Sequence, residues 1–491
     1  MLRDPRWLLI AALLASCGDD DATSDASTTA GASTTGSTLE PTTAGPTTLE
    51  PTTAGSTADA TAGELDILAA LQAIDGLTVE ELDPEVEGYR AFALTFLQPA
   101  DHADPDGLKF AQRMTLMHRD LAAPLVLSTD GYNISPGSQK LSEPAALLHA
   151  NQLRVEHRFF AASRPEPADW STLTIAQAAD DHHRIVEVLR PIYGAAWLST
   201  GVSKGGMTAV YHRRFYPDDV DATVAYVAPL SDGVADPRYV DFLQQVGDAA
   251  CRQALADFQR EVLLRRPEML ARIDAEAAEF ELTYDLLTPE LALEILVLET
   301  PFAFWQYLGA GTCAQIPGVM ASDDDIWAFL GVVSPAYLWS DDIFLTFEPY
   351  YWQAALQLGT YAVDESAVAD LLLFPGKDVP ETFILPGPGK DPVFDAAAMD
   401  DVAAWVAGEA TRVLFVYGET DPWSAGAFEV GDADDVHRLF VADGSHAAKI
   451  ADLAAPDREL AHARLEAWTG VTPMARALPQ EPPPRLRRPP R

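Results

Sequence analysis

Ser203 sits between glycines in Gly201-Val202-Ser203-Lys204-Gly205. A serine hydroxyl is a weak nucleophile on its own. It needs a base to take its proton and a carboxylate to orient that base. The apolar run at 195–199 ahead of it predicts a strand. Residues 207–215 predict a helix that Tyr216-Pro217-Asp218 ends. A G-x-S-x-G turn at such a junction pushes Oγ out above the sheet, and its glycines let the strand and helix backbones approach each other. The competing reading is a structural Gly-rich turn.

The base and the acid are sought downstream. Residues 412–417 (RVLFVY) predict a strand that runs into Gly418-Glu419-Thr420-Asp421-Pro422-Trp423. Asp421 is the candidate acid, further past the strand end than its competitor Glu419. Residues 437–441 (HRLFV) predict the next strand, and Asp443-Gly444-Ser445-His446 follows it. His446 is the candidate base, because His437 falls at the wrong end of that strand. Taken singly, an Asp before Pro is a common turn residue and a His beside Gly a common loop residue. Serine, then acid, then histidine is the chain order of the α/β-hydrolase triad. The oxyanion would be met by the Lys204 N–H and by that of Gly131 or Tyr132, in the loop after an earlier strand. The triad needs no cofactor.

Several elements must position these groups. Residues 90–97, 110–118, 124–128, 153–160 and 222–227 predict further strands, and 174–189 has helical spacing. Strands alternating with helices imply a parallel sheet covered on both faces. Between them, 240–358 is helical and rich in Leu, Phe, Trp and Tyr. The expected architecture is therefore an α/β-hydrolase sheet with a helical cap over the carboxyl ends of its strands. Its sheet domain would span 64–235 and 401–478, and the cap 236–400.

The ends read differently. Arg3 and Arg6, an apolar run to Leu14, and Leu14-Ala15-Ser16-Cys17 form an export signal over 1–17, too short to span a bilayer. Cys17 resembles the lipidated cysteine of a bacterial lipobox, which would anchor an exported lipoprotein to a membrane in the cell envelope or outside the cell. An ordinary cleaved signal is the alternative. Residues 18–63 are almost wholly Thr, Ser, Ala, Gly, Pro and Asp, with a repeated motif. They predict a disordered stalk reaching on the order of 40 Å. Residues 479–491 form a Pro/Arg-rich tail.

The net charge is −41, from 74 acidic and 33 basic residues. That balance opposes nucleic-acid binding and attachment of the folded part to anionic lipid. Membrane contact is expected only through the N-terminal lipid. Cys251 and Cys313 are a disulfide candidate in an oxidising compartment, with two free thiols as the alternative. No Cys/His cluster suggests a metal, and His182-His183 would point apart on a helix.

Glu156-His157-Arg158-Phe159-Phe160 with Ser163-Arg164-Pro165 resembles a segment of prolyl-specific serine peptidases related to lysosomal Pro-X carboxypeptidase. The likeness is closer to the secreted bacterial prolyl tri/tetrapeptidyl aminopeptidases. It extends through the elbow, Arg213-Arg214-Phe215-Tyr216-Pro217, Ala225-Tyr226-Val227-Ala228-Pro229, 417–423 and Gly444-Ser445-His446. The resemblance implies hydrolysis of short peptides at their N-termini, often after proline, through an acyl-enzyme on Ser203, Asp421 and His446. It also implies a cap that limits substrate size and holds a free N-terminus. Glu348 is a candidate for the amine, and Tyr350, Tyr351 and Trp352 for a proline pocket, with cap packing as the alternative. Competing functions are an esterase or lipase with the same triad, and an inactive peptide-binding lipoprotein.

Overall fold

The computed structural model describes residues 66–387 and 389–475. The export signal, Cys17, the stalk and the Pro/Arg-rich tail lie outside the described residues.

Among the described residues, nine strands form one sheet in the order β1-β2-β3-β5-β4-β6-β7-β8-β9. They are β1 Leu77–Leu82, β2 Arg90–Pro99, β3 Lys109–His118, β4 Leu125–Thr129, β5 Asn151–Val155, β6 Trp197–Val202, β7 Ala222–Tyr226, β8 Val413–Gly418 and β9 Val436–Val441. β1, β2, β3 and β5 pair antiparallel. From β5 through β4, β6, β7 and β8 to β9 every pairing is parallel.

The parallel strands are apolar on both faces because helices cover both. Successive side chains of a strand point to opposite faces. Leu125 and Leu127 therefore pack with Ile185, Val186 and Leu189 of the helix Ile175–Leu189 on one side. Val126 between them packs with Leu198, Leu414 and Leu465 on the other. β8 divides the same way, with Val413 and Phe415 on one face and Leu414 and Val416 on the other. Full burial of a side chain of this size contributes about 1.5–3 kcal/mol.

The chain leaves the sheet after β7 and returns at β8. The helices Ala249–Leu264, Arg266–Phe280, Pro289–Tyr307, Asp323–Val333 and Asp341–Gln353 lie between. They enclose a separate core, running from Val246 to Phe383, that contains no sheet residue. Its centre is Pro289–Tyr307, apolar on almost every face, as a helix surrounded by others must be. Side-chain caps fix several starts. Asp248 accepts from Cys251 N, Thr288 from Leu291 N, and Ser322 forms a reciprocal box with Asp325. A disulfide joins Cys251 to Cys313, with Cα atoms 5.4 Å apart.

One strand departs from the expected 153–160. β5 begins at Asn151 and stops at Val155. The Glu156 carboxylate then accepts from the N–H groups of Ile134 and Ser163 and from Ser163 Oγ, which pulls the chain out of the ladder. Phe159 and Ala161 follow in the left-handed region.

Candidate active site

Ser203 occupies the turn between β6 and the helix Lys204–Phe215, with φ 56° and ψ −126°. A non-glycine residue held there costs on the order of 1–3 kcal/mol and persists only where its surroundings enforce it. Here the Ser203 N–H donates to Tyr226 O at 2.9 Å, and the Ser203 carbonyl accepts from Met207 N at 3.0 Å. The turn also needs two close approaches. A Cβ on Gly201 would lie 2.2 Å from Gly205 O, and one on Gly205 would lie 2.5 Å from Thr129 O. Only glycine leaves room at either position.

Asp421 and His446 follow β8 and β9, side by side in the sheet. His446 Nδ1 lies 2.7 Å from Asp421 Oδ2, and both side chains are buried. Asp421 Oδ1 also accepts from Trp423 N at 3.2 Å, which fixes the carboxylate. With Nδ1 engaged by the acid, Nε2 is the nitrogen left for chemistry. It is buried and has no partner among the described residues. Ser203 and His446 line one cavity of about 220 Å³ together with Gly131, Tyr132, Glu143 and Arg154. No hydrogen bond joins Ser203 to His446 in this structure. Such contacts often tighten only when substrate is bound.

Glu143 braces the loop beyond the histidine. Its carboxylate accepts from the Ile450 and Ala451 N–H groups, each at 2.9 Å, and from Tyr226 Oη at 2.8 Å. Burial pushes its pKa up against those three donors. Sequence reasoning missed this residue, because its partners lie 83, 307 and 308 positions away.

His157 and Arg158 tie the segment 156–158 to the elbow helix and to the helix Ile175–Leu189. Arg158 makes a bidentate pair with Asp181 at 2.7 and 2.8 Å, both side chains fully buried. His157 Nε2 lies 3.1 Å from Tyr211 Oη, and Tyr211 donates in turn to Thr208 at 2.9 Å.

The cap candidates separate. Tyr350 meets the Tyr132 ring with centroids 5.9 Å apart, beside the oxyanion loop. Trp352 is packed on Trp170 inside a small core. Tyr351 stacks on Phe383. Glu348 is buried, and its carboxylate is committed to Lys390 Nζ and the Leu385 N–H. A different carboxyl pair lies in the cap. Glu299 and Asp378 interact electrostatically, and Tyr361 Oη donates to both Glu299 oxygens at 2.6 and 2.7 Å. Burial lifts Glu299 to about 7 and raises Asp378 as well. Glu299, Phe302 and Tyr361 line a cap cavity of about 370 Å³. From there a run of rings leads to the triad. Tyr361 stacks on Phe302 at 4.2 Å, Phe302 meets Trp423 at 5.1 Å, and Trp423 meets His446 at 6.5 Å.

A strained serine elbow, a buried acid–histidine pair on the neighbouring strands and a helical cap on a largely parallel sheet define a serine hydrolase of the α/β-hydrolase fold. The family described as PS-10 peptidase S37 matches residues 60–489, and the chain belongs to that family of peptidases. It is 42% identical over 432 residues to the prolyl tri/tetrapeptidyl aminopeptidase of Streptomyces mobaraensis, covering 86% of this chain and 90% of that protein. Among solved structures, the proline iminopeptidase of Mycobacterium smegmatis is 13% identical with a TM-score of 0.36, covering 76% of this chain and 98% of that one. VinJ is 12% identical with a TM-score of 0.34, covering 80% and 99%.

Proposed function

We propose that this peptidase releases tri- and tetrapeptides from peptide N-termini, with a preference for proline before the cleaved bond. The observation that carries the catalytic part is the hydrogen bond between Asp421 and His446, with His446 and Ser203 lining one cavity. The substrate part is supported by the Streptomyces relative.

The proposed reaction has two halves. Ser203 Oγ attacks the scissile carbonyl while His446 Nε2 takes its proton, and Asp421 stabilises the imidazolium without itself being protonated. The Lys204 N–H and that of Gly131 or Tyr132 meet the developing oxyanion. His446 then returns the proton to the departing amine. Water, activated by the same imidazole, releases the acyl peptide and restores Ser203.

Chain length would be measured from the cap. Three or four extended residues span roughly 10–14 Å. In this reading the Glu299–Asp378 pair receives the substrate ammonium at the far end of the ring run. Glu348 does not, because Lys390 already balances it. Tyr350 and Tyr132 offer aromatic faces to a proline ring. The N-terminal signal supports a further proposal, an exported lipoprotein modified at Cys17. Radiolabelled palmitate should enter the wild type and not Cys17→Ala.

A panel of p-nitroanilides tests the function. Free tri- and tetrapeptides ending in proline should be cleaved, N-acetylated versions poorly. Turnover of acyl esters with the peptides left intact would contradict the proposal.

A further inference from the structure

Lys204 is a lysine in an unusual place. It follows the nucleophile directly, opens the elbow helix and is only 2% exposed. Its Nζ donates to the Gly131 carbonyl at 2.6 Å. The same nitrogen lies 5.5 Å from the centroid of the Tyr132 ring and 5.1 Å from that of Phe160. No carboxylate pairs with it among the described residues. Burial holds its pKa well below the ordinary lysine value.

The loop it grips carries the second oxyanion donor. Several hydrogen bonds hold that loop, among them one from the Asp130 N–H to Val155 O at 3.1 Å. Arg154 makes a bidentate pair with Asp130 at 2.8 and 2.7 Å. The Tyr132 carbonyl accepts from the His157 N–H at 3.0 Å. Lys204 holds the carbonyl between them. The loop also lies directly on the elbow helix, since a Cβ on Gly131 would come 2.7 Å from both Gly205 N and Lys204 Cβ.

The peptide from Gly131 to Tyr132 is a planar unit, and in a trans peptide the C=O and the N–H point opposite ways. Fixing the Gly131 oxygen therefore fixes the direction of the Tyr132 N–H. We propose that Lys204 is a positioning residue that uses its side-chain amine to aim the Tyr132 N–H at the oxyanion. One residue would then serve both halves of the oxyanion hole, its own N–H directly and the second donor through its side chain. The inference rests on the serine-peptidase mechanism proposed above.

The test compares Lys204→Met with wild type on a peptide p-nitroanilide, a peptide aldehyde as transition-state mimic and the product peptide. Loss of an aimed oxyanion donor typically costs about 10²–10³ in kcat. Lys204→Met should lose kcat on the lower side of that range, with KM within about threefold. Aldehyde affinity should fall by the same factor, and product affinity should hold. Lys204→Gln, which keeps a shorter donor, should fall between the two. If Lys204→Met does not fold, the same aldehyde-to-product ratio is read from Lys204→Gln against wild type. An unchanged ratio, whatever happens to the melting temperature, overturns the inference, as does equal loss in the Met and Gln variants. Ser203→Ala is run in parallel. If it keeps wild-type turnover, the mechanism itself fails; if it is inactive while Lys204→Met is fully active, only the positioning role fails.

Discussion

The backbone N–H of His446 donates to the carbonyl of Gln306 at 2.9 Å, so the loop bearing the base is pinned to the last turn of the cap helix Pro289–Tyr307. The cap thus holds part of the reaction centre as well as covering it.

Loosening the cap should therefore reach the chemistry. The Cys251–Cys313 disulfide closes a loop of 62 positions, for which the chain-entropy model gives about 4 kcal/mol. The double variant Cys251→Ser/Cys313→Ser should melt at a clearly lower temperature. Its kcat should fall while the protein is still folded by circular dichroism. An unchanged kcat would mean that the Gln306 contact does not position His446.

Asp421→Asn should leave the fold intact and lower kcat by about 10³–10⁴, because the amide favours the wrong imidazole tautomer. KM should change little. His446→Ala added to Ser203→Ala should cost almost nothing further, since the residues act as a unit. Steady-state kinetics with a melting curve for each variant check both points.

Arg158→Met should act on stability. Removing one partner of a buried pair leaves Asp181 with His102 alone, 2.7 Å from its Oδ1, and costs about 3–5 kcal/mol. Arg158→Met/Asp181→Leu should recover part of the loss. Activity per folded molecule should stay near wild type in both, measured by active-site titration beside urea unfolding.

Glu299 links substrate binding to pH. Its pKa is raised in the fold, so the folded state binds more protons between its ordinary value of 4.5 and about 7. Its contribution to stability is fully present below pH 4.5 and is lost as pH rises towards about 7. Ionisation in that window also makes the pair a better acceptor for an ammonium. KM for free peptides should therefore fall as pH rises through the window, and the melting temperature should fall with it. Glu299→Gln should flatten both profiles and raise KM for free peptides about tenfold or more, with acetylated peptides unaffected. Equal effects on free and acetylated peptides would remove the amine-binding role.

What could be read from the sequence follows from distance along the chain. The turn at Ser203 is written in five consecutive residues, and its two glycines are demanded by contacts with Gly205 O and Thr129 O. Asp421 and His446 were legible because each follows an apolar strand in chain order. β5 was read too long, because apolar Phe159 and Phe160 continue the strand pattern while the Glu156 carboxylate, whose partners are scattered, ends it. β1 was not read, since its alternation is half polar and its pairing with β2 decides it. Glu143, Lys204 as a side chain and the Glu299–Asp378 pair were invisible. Each takes its role from partners that only the tertiary fold brings near, as the Glu348 carboxylate meets Lys390 only after folding.

The most direct measurement is intact-mass analysis after reaction with a small fluorophosphonate, followed by peptide mapping. One adduct per chain, located on Ser203, absent in Ser203→Ala and strongly slowed in His446→Ala, is the predicted result. Labelling of Ser203→Ala at the wild-type rate, or an adduct on another residue, would contradict a nucleophile at this turn.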